Sequence, residues 1–79
     1  MRIDKFLKNS RIIKRRTIAK KACEQGRVYI NNKQSKPGDE VKVGDIIDIN
    51  FVSGEMKVEV LDISDNVRKD KATELYKKI

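Results

Sequence analysis

Apolar residues recur along this chain first at helical spacing and then at strand spacing. Ile3, Phe6 and Leu7 fall at i, i+3 and i+4, while Arg2, Lys5 and Lys8 take the other positions; this stripe predicts a first helix over roughly residues 3 to 9. An Asn9-Ser10 break and the Ile12-Ile13 pair follow. Ile18, Ala19, Ala22 and Cys23 then repeat the helical signal from about Arg15 to Gln25, and Gly26 stands where a C-terminal cap belongs. Cys23 lies on that stripe, so it is expected in the core and not at a reactive site.

From Arg27 the period becomes two. Val28 and Ile30 alternate with Arg27 and Tyr29, and Asn31-Asn32 predicts a tight turn into Lys33 and Gln34, because Asn tolerates positive φ better than most residues. Pro37-Gly38 is a turn, and Val41 and Val43 lead to another at Gly44-Asp45. Ile47, Ile49 and Phe51 alternate along a strand. Ser53-Gly54 returns that strand into Met56, Val58 and Val60, whose polar neighbours Lys57 and Glu59 fit a sheet with one wet face. Beyond a Ser64-Asp65-Asn66 loop, Ala72, Leu75, Tyr76 and Ile79 recur at i, i+3, i+4 and i+7, which predicts a short C-terminal helix laid on the sheet. The expected fold is α+β: two N-terminal helices packed on a small antiparallel sheet over residues 1–62, with a helical tail over 63–79.

Composition narrows the chemistry. A chain of 79 residues supports one small core, burying only about 60% of the unfolded surface. Cys23 is the only cysteine and there is no His, so a disulfide framework, a zinc cluster of Cys and His and an imidazole base are all excluded. No phosphate-binding glycine loop is present. Asp45, Asp48, Glu55 and Glu59 sit at turns or on a solvated sheet face, so no enzyme and no cofactor are expected. No apolar run approaches the roughly 20 residues needed to cross a bilayer, and cytoplasmic residence is the expectation.

Charge is concentrated. Residues 1 to 36 hold 12 Lys or Arg against Asp4 and Glu24, whereas residues 37 to 79 hold 7 against 10 acids. Such a basic block repels itself and favours a polyanionic partner. Lys14, Arg15 and Arg16 stand in succession at the start of the second helix, and Lys20 follows Arg16 by one turn on the same face. Unpaired amides and the positive dipole end of a helix N-terminus attract phosphate, and arginines there add bidentate contacts. Arg2 and Arg11, before and after the first helix, extend the patch. With four aromatics, Phe6 and Phe51 among them assigned to the core and Tyr29 free to stack, recognition is expected to rest on RNA shape and backbone with strong salt dependence. No long recognition helix or dimerisation stripe is visible, so duplex DNA is disfavoured and a monomer is expected.

The run Arg2-Ile3-Asp4-Lys5-Phe6-Leu7, with Arg11-Ile12, Arg16, Ala19, Gly26-Arg27-Val28 and Ile30-Asn31 in register, resembles the RNA-binding domain named after small-subunit ribosomal protein S-four. The resemblance covers roughly residues 1 to 52. It implies two helices in an α-L motif on a small sheet, with the helical face binding structured RNA. By match of position it implies Arg2 and Arg16 as leading RNA contacts, Asp4 as a residue orienting one of them, and Arg27 as part of the same RNA-binding set. Two departures stand out. Arg15 replaces the usual Ser or Thr before Arg16, removing an N-cap and leaving the start of the second helix open to a shift, and Asn32 replaces the usual Gly.

The short length, the run Ile13-Lys14-Arg15-Arg16-Thr17 and the short tail are similar to free-standing members of that family from ribosome-associated quality control. That similarity implies binding to a dissociated, obstructed large subunit through large-subunit rRNA and peptidyl-tRNA in the P site. It also implies a partner tailing factor that recruits alanyl-tRNA. Heat-shock-type relatives are expected to carry a longer basic C-terminal extension than a chain ending at Ile79 allows. An rRNA-modifying enzyme would need a catalytic domain, against which the start at Met1 and the end at Ile79 count. A structural ribosomal protein would be present on every ribosome.

Overall fold

The computed structural model describes residues 1–65 and 68–79; Asn66, part of the expected loop, lies outside the described residues. Helix α1 spans Ile3–Asn9 and α2 spans Arg16–Glu24, followed by strands β1 (Val28–Ile30), β2 (Lys33–Gln34), β3 (Ile46–Phe51) and β4 (Gly54–Val60). A 3-10 segment, Lys69–Leu75, leads into β5 (Tyr76–Lys78). All strand pairs are antiparallel, in the order β2-β1-β3-β4-β5.

Register puts one apolar face together. Val28 pairs with Ile49, Ile30 with Ile47, Ile47 with Val58 and Ile49 with Met56. Against that face pack Ile3, Phe6 and Leu7 of α1 and Ala19 and Cys23 of α2. The opposite face aligns Tyr29, Asp48 and Lys57, the wet side that strand alternation requires.

The turns follow their residues. Asn31 and Asn32 take φ of 52° and 69°, the positive-φ pair of a type I′ hairpin turn. Gly26 ends α2 in a Schellman arrangement: its N–H donates to Cys23 O at 3.0 Å and Arg27 N–H donates to Ala22 O at 3.0 Å. At φ 73° a side chain would be strained there, and a Cβ would lie 2.5 Å from the Gln34 amide nitrogen.

The C-terminal helix is present as a 3-10 segment, and it stops before Tyr76. Ala72 and Leu75 of the expected stripe are buried, but Ile79 is exposed. Hydrogen bonding gives the reason. A continuing α-helix would send Ile79 N–H to Leu75 O. Instead Leu75 O accepts from Leu61 N–H at 2.8 Å and Asp62 N–H at 3.2 Å, and Ile79 N–H donates to Lys57 O at 3.0 Å. The chain thereby covers the free edge of β4.

Two apolar assignments are corrected. Ile18 is 49% and Phe51 37% exposed. The inward edge of α2 consists of the small residues Ala19 and Cys23, which seat the helix close to the sheet and leave Ile18 at its flank.

Candidate nucleic-acid interface

Asp4 organises the basic face. It sits in the first turn of α1 and is buried. Its carboxylate accepts from the Arg2 Nη2 at 3.2 Å and from the Arg16 Nη2 at 3.5 Å. The arginines are about half exposed, so each gives one Nη2 donor to Asp4 and keeps other N–H donors toward solvent. A residue before α1 and the first residue of α2 are thus held on one buried carboxylate. Two cations and one anion leave the trio with net positive charge, and the remaining guanidinium donors suit anion contacts.

The two helix starts differ. At α1, Ile3 N–H donates to Asp39 O at 2.8 Å and Asp4 N–H to Pro37 O at 3.3 Å. Those amides are used by the loop. At α2, Arg15 occupies the N-cap with extended backbone and no side-chain cap bond, so the helix begins at Arg16 without a shift. Among the described residues, no backbone acceptor meets the N–H groups of Arg16, Thr17 and Ile18. The missing Ser or Thr therefore leaves this end open beside the two arginines.

Lys14, Arg15 and Lys20 are exposed and form no ion pair among the described residues. Arg11 is exposed at φ 63°, a left-handed conformation usually left to Gly or Asn, where it closes α1 by donating its N–H to Lys8 O at 3.1 Å. Arg27 is elsewhere: it borders a groove with Ile18, Lys21 and Phe51 on the opposite flank of α2. The eight expected residues thus divide, with Arg2, Asp4 and Arg16 joined and Arg27 apart.

Sequence reasoning missed the acidic rim. Lys5 pairs with Asp65 at 2.8 Å, and the N-terminal ammonium with Glu40 at 2.7 Å; both border the groove that holds Arg2 and Arg16. Lys5 holds the Asp65 carboxyl below its ordinary pKa. These contacts join distant parts of the chain, for which no local spacing is a signal. Burial raises the Cys23 pKa, with the Ser35 hydroxyl opposing it, as suits a thiol in the core.

The S4 domain family model matches residues 1–47. The RQC P-site tRNA stabilizing factor of Halalkalibacterium halodurans is 50% identical over 76 residues, which cover 96% of this chain and 86% of that protein. This chain belongs to the S4 domain family, in the group of RQC P-site tRNA stabilizing factors. The Heat shock protein 15 homolog of Aeromonas salmonicida, a more distant member, is 37% identical over 65 residues, covering 82% of this chain and 49% of that protein. The solved trimeric Heat Shock Protein 15 of Vibrio cholerae superposes with a TM-score of 0.92 at 31% identity, over 100% of this chain and 81% of that one. The family's implied architecture, two helices on a small antiparallel sheet, is the one observed. Among the described residues no helix is long and apolar enough to cross a membrane.

Proposed function

We propose that this protein is a non-enzymatic, cytoplasmic RNA-binding factor of ribosome-associated quality control. It binds the obstructed large ribosomal subunit through rRNA and peptidyl-tRNA, and it stabilises the P-site tRNA while a tailing factor brings alanyl-tRNA to the stalled chain. Arg2 and Arg16 contact the RNA backbone, with Arg11, Lys14, Arg15 and Lys20 adding charge around them and Asp4 holding the leading pair in place.

The observation that carries this reading is the convergence of two half-exposed arginines on one buried carboxylate in a chain that is 50% identical to an RQC P-site tRNA stabilizing factor. Asp4 fixes the guanidinium planes before RNA arrives, so less side-chain freedom is lost on binding. Uncapped amides at α2 give a phosphate oxygen a second set of donors. A rigid, shape-matched cationic face suits structured RNA, whose backbone geometry is its most accessible feature.

Heat-shock-type recycling of large subunits is the second reading, favoured by the fold match to the Vibrio protein. Sequence weighs the other way, with 37% identity to the heat-shock homolog against 50% to the quality-control factor. The protein acts as a monomer in this reading. Co-sedimentation with purified large subunits tests the site: Arg16→Ala, shown to be folded by circular dichroism, is expected to lose association, and wild-type sedimentation by that variant would overturn it.

A further inference from the structure

On the flank of α2 away from Asp4, a groove of about 310 Å³ lies between the helix and the end of β3. Ile12, Ile18, Ile49 and Phe51 form its apolar lining. Lys21 and Arg27 border it, and neither makes an ion pair among the described residues. Gln25 lines the same groove. Among the described residues the Gln25 side chain has no hydrogen-bond partner.

We infer that this groove is a second RNA subsite that takes one unstacked nucleotide, and the inference rests on the RNA-binding reading above. Phe51 and Ile18 give the base an apolar surface, the amide of Gln25 reaches its hydrogen-bonding edge, and Arg27 with Lys21 meets the flanking phosphates. Sequence-reading modules on RNA work this way, stacking a splayed base on an aromatic ring and reading its edge. Two features select this occupant. The cavity sits at the lower end of the size range for small-ligand sites, whereas a docked protein helix needs a groove long enough for anchors over two turns. Both border charges are positive and unpaired, as a phosphate requires. Arg16 and Ile18 lie on opposite flanks of α2, so the groove meets a different part of the RNA from the first site. The same placement gives Arg27 a role that the Arg2–Asp4–Arg16 trio does not.

Three experiments test the inference. Nuclear magnetic resonance titration of the full chain with each of the four nucleoside 5′-monophosphates is expected to shift the Ile18 methyl, the Phe51 ring and the side-chain amide of Gln25; shifts confined to the Arg2 and Arg16 region, or none, would overturn it. A photoreactive benzoylphenylalanine replacing Ile18, irradiated on purified large subunits carrying tRNA, is expected to give a nuclease-sensitive crosslink, whereas a crosslink to a protein or to a second copy would overturn it. Phe51→Leu keeps apolar volume but loses the stacking face, and is expected to weaken subunit binding roughly tenfold. If Arg16→Ala abolishes binding and Phe51→Leu leaves it unchanged, this inference fails and the RNA-binding reading stands; if Arg16→Ala has no effect, that reading itself fails.

Discussion

Asp4→Asn separates positioning from charge. The substitution keeps shape and one acceptor oxygen while removing the anion that accepts from Arg2 at 3.2 Å and Arg16 at 3.5 Å. Because both arginines are about half exposed, each pair contributes about 1 kcal/mol or less to folding, and the fold survives. Binding is affected in two opposite ways. Releasing two arginines restores ordering costs of about 0.5–1.5 kcal/mol each, or about 1–3 kcal/mol together. Removing a negative charge about 7 Å from a phosphate, screened largely by water beyond the guanidiniums, returns only about 0.6 kcal/mol. Positioning outweighs charge, so the dissociation constant for large subunits is expected to rise roughly tenfold. The assay is quantitative co-sedimentation at several salt concentrations, with circular dichroism to confirm folding. Binding equal to or tighter than wild type would refute the claim that Asp4 acts by orienting its arginines.

Other perturbations give separate checks. Arg11→Gly relieves the φ of 63° and is expected to raise stability by up to about 1 kcal/mol, while the salt slope of RNA binding falls by about one unit; thermal melts and salt titrations read the two effects. Gly26→Ala forces a side chain into φ 73° beside Gln34 and is expected to cost about 1–2 kcal/mol; adding Gln34→Ala removes the clash and leaves the backbone strain, as urea melts should show. Asp65 titrates low because Lys5 donates to it. Its contribution is therefore complete above the ordinary carboxylate range and fades as pH falls below about 4, and melts of Asp65→Asn in that window should lose this component. Buried Cys23, with its pKa raised, is expected to react with a thiol reagent at pH 8 far more slowly in the native protein than in denaturant.

Local signals carried much of the architecture. The i, i+3, i+4 stripe at Ile3, Phe6 and Leu7 marked α1, Gly26 marked the end of α2, and Asn31-Asn32 marked a hairpin turn, because each is specified by residues within a few positions. Tyr76 departs from the helical expectation because its periodicity with Leu75 cannot reveal that Leu61 and Asp62 claim the carbonyl a continuing helix would use. Ile18 and Phe51 depart from the core expectation because apolar stripes report which residues share a face and not how much of that face a neighbour covers. The family resemblance groups Arg27 with Arg2 and Arg16. The turn of α2 separates them, since Arg16 and Lys20 flank one side of the buried Ala19–Cys23 edge and Ile18 and Ala22 flank the other. Arg2 and Arg16 matched the family pattern, but their meeting on Asp4 spans twelve residues between Asp4 and Arg16 and needed the fold.

The most direct test of the central claim is recovery of the tagged protein from cells, with the co-purifying ribosomal particle and tRNA identified by RNA sequencing. Large subunits carrying peptidyl-tRNA with an alanine-extended chain are the predicted result. Small subunits, intact ribosomes or free RNA alone would contradict it.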